Sequence, residues 1–382
     1  MKLYEHEAKT IFSTNCIPTP KGKLVTTGQQ ALEAAYKLGG PVAVKAQVLV
    51  AGRGKAGGIL FADNPIEAQK VAEKLLQSEI KGIPVAKLLV EEQVSIKVEL
   101  YFGITVDRLN RRYVAVSSRA GGVEIEEVAK QQPESIHKHP INAQLGFRGF
   151  DARQVAINLG YSGERMLVLA DIFQKVCQVG LDLDAELIEM NPLVETADGE
   201  FVAVDARLVL DDNALYRHPE YETLRLSEPR ELSPQEFEAL KHGLDYVKLD
   251  GDIGVAGNGA GLVMATLDLI NFYGGQPANF LDMGGGAPLE RIEAAFKIIL
   301  SDPKVHVLFV NILGGITHCD EVARAIVQAR QQLQTRKPLV VRLVGTNEVE
   351  GKRILADAGL QVFDTMQEAA REAVELARKE AV

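Results

Sequence analysis

The sequence predicts a two-part protein of mixed class: an irregular α+β half, then a regular α/β half built on a parallel sheet. Three observations carry this. Beyond residue 236, strand-like runs alternate with helical patterns. Before about residue 230, the same kinds of segment mix without a regular beat. Between them, Arg217-His218-Pro219-Glu220 through Ser227-Glu228-Pro229-Arg230-Glu231-Leu232-Ser233-Pro234 holds three prolines and many charges, as an exposed connector does. The expected domains are 1–235 and 236–382. A chain of 382 residues has room for two or three domains.

Composition narrows the function. The chain is 46% hydrophobic and 25% charged, an ordinary globular balance. A net charge of −10 argues against a general binder of nucleic-acid backbones. No apolar run reaches the roughly 18 residues of a membrane span. The opening Met1-Lys2-Leu3-Tyr4-Glu5-His6-Glu7 lacks the apolar core of a signal peptide. The three cysteines, Cys16, Cys177 and Cys319, show no zinc spacing. A reducing, cytoplasmic setting is expected.

In the second half, apolar runs start near Ile253, Ala278, His306 and Pro338, and each ends in a glycine-bearing turn. The turns are Gly257-Asn258-Gly259-Ala260-Gly261, Gly284-Gly285-Gly286, Gly314-Gly315 and Gly345-Thr346-Asn347. Leu289, Ile292, Ala295, Phe296 and Ile299 recur at helix spacing, with Pro288 expected at the first helical position. Asp320 is the expected cap of the helix through Val322, Ala325 and Ile326. Repeats of roughly 26–32 residues imply βα units and a parallel sheet. All four turns should then lie at the carboxyl edge of the strands, where helix N-termini offer free N–H groups to an anion. The first turn is not a dinucleotide fingerprint, because Leu262 stands where that pattern needs glycine.

In the first half, Pro41 to Val50 reads as a buried strand carrying Lys45, followed by the loop Ala51-Gly52-Arg53-Gly54-Lys55-Ala56-Gly57-Gly58 and a second strand from Ile59. Leu49 and Ala56 break the P-loop pattern. A glycine hairpin can still fold its N–H groups over phosphates, with Lys45, Arg53 and Lys55 adding charge. A surface hairpin is the competing reading, weakened by Lys45, since a buried ammonium needs an anionic partner. Leu88 to Val94 is another strand, ending in Glu91 and Glu92, with Glu99 beyond. These acids suit an amino group or ribose hydroxyls, or simply water.

Glu189 to Asp205 reads as a hairpin with the three-residue loop Ala197-Asp198-Gly199. Thr196 then pairs with Glu200, and Asn191 lies opposite Asp205. Glu189, Asn191 and Asp205 share a face. An amide oxygen beside a carboxylate supplies hard ligands for Mg²⁺, which takes one or two carboxylates with waters and phosphates. The seven histidines show no metal-ligand spacing.

Several of these segments resemble one family. They are Lys2-Leu3-Tyr4-Glu5-His6-Glu7-Ala8-Lys9, Lys45-Ala46-Gln47-Val48 with Gly52 to Gly58, Leu187-Ile188-Glu189-Met190-Asn191-Pro192-Leu193-Val194, and Asn311-Ile312-Leu313-Gly314-Gly315-Ile316. In this order they are similar to the β subunits of succinyl-CoA synthetases, the ATP-grasp acid–CoA ligases. The resemblance implies an ATP-grasp domain followed by a flavodoxin-like domain. It implies ATP and CoA as substrates and Mg²⁺ as cofactor. Lys45, Gly52, Arg53 and Gly54 would contact ATP phosphates. Glu91, Val94 and Glu99 would hold adenine and ribose, and Asn191 and Asp205 the metal. Asn258, Gly315, Ile316 and Thr317 would bind the carboxylic acid, and Glu189 would handle a phosphohistidine. That histidine and most CoA contacts would come from an α subunit, in an αβ or α2β2 assembly. Departures from the family pattern are Leu49-Val50-Ala51 before the loop, Arg119-Ala120 before Gly121-Gly122, and Thr317-His318 after Gly-Gly-Ile. The last leaves succinate, malate and citrate as candidate acids. A non-catalytic nucleotide sensor is the rival from another class.

Overall fold

The computed structural model describes residues 1–142, 144–230, 232–333 and 337–380. They fall into two compact units, Met1–Glu222 and Thr223–Val382.

The first unit begins with α1 (Glu5–Thr14), β1 (Gly22–Val25), α2 (Gly28–Leu38), β2 (Val42–Ala46) and β3 (Ile59–Ala62). α3 (Pro65–Leu76), β4 (Glu79–Ile80), β5 (Ile83–Pro84) and β6 (Leu88–Glu92) follow. β1, β6, β2 and β3 form an antiparallel sheet in that order. One face is covered by α2 and α3, whose Ala31, Ala34, Ala68 and Ala72 meet Val42, Val44 and Val90. Alanines at helical spacing let these helices approach the sheet closely. Thr27 caps α2 by accepting from the Gln30 N–H, and Asn64 does the same for α3, where Pro65 takes the first helical position.

A larger antiparallel sheet follows, from β7 (Ile96–Asp107), β8 (Arg112–Ser118), β9 (His137–Pro140), β10 (Ala185–Thr196), β11 (Phe201–Ala203) and β12 (Arg207–Leu210). Its order is β11-β10-β7-β8-β9, with β12 also on β10. Between these strands come α4 (Ile125–Gln131), α5 (Gly149–Asn158) and α6 (Gly163–Asp182). α6 backs the sheet through Leu169, Ile172, Phe173 and Val176. Phe173 stacks on Phe102 with ring centroids 4.0 Å apart. α1 buries Ala8 and Phe12 in the same core.

The late hairpin has the expected register. Thr196 N donates to Glu200 O, Gly199 turns at φ +86°, and Leu193 faces Ala203. The ladder does not reach Asn191 and Asp205, however. Proline has no N–H to donate, and beyond Ala203 the Val204 N–H turns to the Pro192 carbonyl at 3.1 Å. Asp205 therefore lies in a bend before β12 rather than opposite Asn191.

The connector expected as loop contains α7 (Pro219–Ser227), and the division between the units falls inside it. Proline at a first helical position is compatible with helix.

The second unit continues with α8 (Pro234–Lys241), β13 (Asp245–Lys248), β14 (Ile253–Gly257), α9 (Ala260–Phe272), β15 (Asn279–Asp282) and α10 (Leu289–Ser301). β16 (Val307–Gly314), α11 (Cys319–Leu333), β17 (Leu339–Gly345), α12 (Glu348–Asp357), β18 (Val362–Phe363) and α13 (Met366–Glu380) complete it. The sheet order is β13-β15-β14-β16-β17-β18, parallel except for β13. Without that edge strand it is the 2-1-3-4-5 order of flavodoxin-like sheets. Alternating residues of β16 face two cores: Leu308, Val310 and Ile312 on one side, Val307 and Phe309 on the other. Two local expectations shift. Pro288 precedes α10 rather than opening it. Asp320 lies inside α11, where its carboxylate accepts from Arg324 and Asn347. Among the described residues, no helix is long and apolar enough to cross a membrane.

Candidate active site

In the first unit, a cleft of about 670 Å³ collects the residues singled out from sequence. Lys45 arrives on β2, and Gly52, Arg53 and Gly54 on the loop between β2 and β3. Glu91 comes from β6, Val94 from the link after it, and Glu99 from the start of β7. Glu189 and Asn191 come from β10, and Asp205 from the bend after β11.

The floor of this cleft is a buried charge network. Lys45, 3% exposed, pairs with Glu91 and with Glu5 Oε1 at 3.1 Å, and donates to the Val204 carbonyl at 2.7 Å. Lys9 Nζ lies 2.6 Å from Glu91 Oε2 and 2.9 Å from Glu5 Oε1. Arg53 Nη2 pairs with Glu5 and, at 3.0 Å, with Asp205 Oδ1, while Nη1 donates to the Ala46 carbonyl. Lys9, Lys45 and Arg53 are thereby matched by Glu5, Glu91 and Asp205. Burial opposes the charge on Lys45, but Glu5 and Glu91 outweigh it and raise its pKa. Burial likewise opposes Glu5, but Arg53, Lys45 and Lys9 hold its carboxyl well below the usual range. The anion that a buried lysine demands is thus supplied by the protein itself. Glu91 turns inward to Lys9 and Lys45 rather than into water.

The loop over the cleft is tied at both sides. Gly58 N donates to Arg53 O, and Lys81 Nζ to Ala51 O at 2.7 Å. Lys55 reaches Glu127 at 3.6 Å. Among the described residues, the N–H groups of Gly52 to Lys55 donate to no backbone carbonyl. Gly52 stands at φ +70°, a backbone setting that glycine adopts without strain.

Glu189 accepts from the Tyr101 hydroxyl at 3.0 Å and lies 3.6 Å from Arg207 Nη1. Burial pushes its pKa up, against the pull of Arg207 and Tyr101. Asn191 Oδ1 accepts from Gly122 N at 2.8 Å, and its amide donates to the Val123 carbonyl. Asp205, its side chain 35% exposed, gives one oxygen to Arg53 and to Ala206 N. A second carboxylate oxygen and the spare lone pair of the Asn191 carbonyl are hard donors of the kind Mg²⁺ prefers. No group of three or more His, Cys, Asp or Glu side chains that could hold a metal occurs among the described residues. An ion that takes its remaining ligands from phosphate and water does not need one.

In the second unit, the four glycine turns stand at one edge, as the register of Gly257 with Asp282 and of Gly314 with Gly345 requires. Asn258 and the turn after β16 meet at the switch between β14 and β16. Asn258 Nδ2 donates to Leu313 O at 2.9 Å, and its Oδ1 accepts from Leu313 N. Thr317 Oγ1 accepts from Gly286 N at 2.9 Å and faces Asn258 Nδ2 at 3.4 Å. Gly315 and Ile316 form the exposed tip of this turn, Ile316 at 81%.

Comparison with known proteins bears on both units. The family model for the ATP-grasp domain matches residues 2–195, and that for CoA-ligase matches 257–376. A succinate–CoA ligase (ADP-forming) β subunit of Ignicoccus hospitalis is 52% identical over 378 residues, covering 99% of this chain and 100% of that one. The chain belongs to the succinate–CoA ligase β-subunit family. The family member of Herpetosiphon aurantiacus, with the same name, is 46% identical over 99% of this chain and 100% of its own. Among solved structures, an ATP citrate lyase from Methanothrix soehngenii has the same fold, with a TM-score of 0.79 over 98% of this chain and 99% of that one at 20% identity.

Glu5, Lys9, Tyr101, Lys81 and Arg207 also touch the cleft or its residues, although no motif of the sequence assigns them a role there. For Glu5 and Lys9 a signal existed. They share a helical stripe with Ala8 and Phe12, so two charges fall on the apolar face of α1.

Proposed function

We propose that this chain is the nucleotide-handling subunit of an enzyme that converts ATP, succinate and CoA into ADP, phosphate and succinyl-CoA, and that it acts only with an α subunit. The observation that carries the reading is the convergence of Lys45, the Gly52–Gly54 loop, Asn191 and Asp205 on one cleft in a member of this ligase family.

Lys45 and Arg53 attract the triphosphate, and the loop N–H groups cover it. Glu99 and Val94 frame the base and ribose. Asn191 and Asp205 hold Mg²⁺, which neutralises charge on the terminal phosphates. An imidazole nitrogen of the α subunit forms a bond to the γ-phosphorus as the bond to the ADP oxygen breaks. Glu189 accepts a hydrogen bond from that imidazole and steadies it. A carboxylate oxygen of succinate then takes the phosphoryl group from nitrogen, giving an acyl phosphate. The CoA thiolate attacks the acyl carbon and phosphate leaves. Asn258, Gly315, Ile316 and Thr317 hold the acid at the edge of the second unit, where helix N-termini favour an anion. In this reading residues 1–235 are the ATP-grasp nucleotide-binding domain and 236–382 the flavodoxin-like CoA-ligase domain, with most CoA contacts left to the α subunit.

The test is co-expression with candidate α subunits and an assay of CoA-dependent ADP release with succinate, malate and citrate. Succinate-dependent release is expected. Nucleotide binding with no acid-dependent turnover would sink the proposal in favour of a sensor.

A further inference from the structure

We propose that Glu5 is a positioning residue of the nucleotide site, fixing the charges of Lys45 and Arg53 together beside the phosphates. The inference rests on the reading above, in which these two cations face a nucleotide.

Glu5 lies on α1, whose Ala8 and Phe12 belong to the core of the large sheet. Lys45 lies on β2 of the small sheet, and Arg53 on the loop that leaves it. One carboxylate therefore ties the cations of one sheet to a helix seated on the other. Its two oxygens divide the work. Oε1 accepts from Lys45 Nζ at 3.1 Å and Lys9 Nζ at 2.9 Å. Oε2 accepts from Arg53 Nη2 and from Gln47 Nε2 at 3.3 Å. The side chain is 2% exposed, so water does not compete.

A lysine ammonium is a point charge on a flexible stem, with three donors and no orientation of its own. Lys45 has all three donors placed, on Glu5, Glu91 and Val204 O. Arg53 Nη2 is shared between Glu5 and Asp205. Replacing Glu5 by glutamine keeps the volume but presents an NH₂ group where a cation now sits. Either Lys45 or Arg53 then loses one of its acceptors and shifts. Lys9 is the internal control. It touches Glu5 and Glu91 but accounts for no contact to Lys45 or Arg53.

The experiment is calorimetric titration of the full chain with MgATP and, separately, with adenosine. Glu5→Gln should weaken ATP binding by roughly 10- to 100-fold, the equivalent of one charged hydrogen bond, and leave adenosine binding unchanged. Lys9→Gln, which also removes a buried charge, should weaken ATP less. Glu5→Asp keeps the charge with a shorter reach and should recover part of the loss. It carries the same ATP-against-adenosine comparison if the glutamine variant does not fold. Equal losses for ATP and adenosine, or equal losses in the Glu5 and Lys9 variants, would mean a merely structural residue and overturn the role. If Lys45→Ala loses ATP while Glu5→Gln matches wild type, the role falls and the nucleotide reading stands. A wild-type chain that binds ATP no better than adenosine overturns both.

Discussion

The two candidate regions handle charge in opposite ways. The cleft of the first unit keeps Lys45 and Arg53 almost out of water, each balanced by carboxylates. The strand edge of the second unit uses glycine turns, an asparagine and a threonine, with Gly315 and Ile316 exposed. The contrast follows from what each environment costs. A buried ion is tolerable only with its partner already present, so cations for a polyanion arrive with Glu5, Glu91 and Asp205 attached. Backbone N–H groups at helix ends carry only partial charge and need no such compensation. One region pairs buried cations with buried carboxylates, and the other sets its carboxylates against turn N–H groups, as where Asp282 accepts from Gly259 N and Gly284 N.

Four experiments test this contrast. The largest effect is expected from Asp205→Asn, which weakens both the hold on Arg53 and the proposed metal site. Turnover with the α subunit should fall by roughly 100- to 1000-fold, with co-purification of the two subunits intact. Unchanged turnover would remove Asp205 from the proposed machinery. Next is Gly345→Ala. Gly345 stands at φ +122°, and a Cβ there would meet the Gly314 carbonyl. Chemical denaturation should show the second unit destabilised by about 2–3 kcal/mol and the first unchanged. A silent substitution would show that the strand edge is looser than its register implies.

Thr317→Val is expected to be milder. It removes the acceptor for Gly286 N, and should raise the KM for the acid by about tenfold while sparing that for ATP. An equal rise in both would contradict the division of labour between the units. The smallest effect is the acid limb of stability. Arg53, Lys45 and Lys9 lower the Glu5 pKa against its burial. A depressed carboxylate contributes in full above its unfolded value and loses that contribution as pH falls through the folded one. Denaturation followed from about pH 7 to 3 should therefore show a steeper loss in wild type than in Glu5→Gln. Parallel curves would show that Glu5 is not held ionised.

Much of this was legible locally. The Gly199 turn and alternation along β10 predict the pairing of Leu193 with Ala203, and the βα repeat predicts β14 through β17 and their common edge. These features depend on residues close in sequence. Asp205 was misplaced relative to Asn191 because the backbone at Pro192 leaves the ladder and turns two N–H groups onto one carbonyl. Glu5 and Lys9 were missed as members of the cleft because their partners stand 40 to 82 residues away.

The alternation of elements, the glycine turns, the late hairpin and the family likeness are all readable along the chain, since period, turn chemistry and motif order are written in neighbouring residues. The partner of each buried charge is not, because it comes from another part of the fold. Lys45 needed an anion on any reading. That the anions are Glu5 and Glu91 follows from α1 bringing Glu5 to Lys45 and from β6 pairing with β2, long-range contacts that no local pattern encodes.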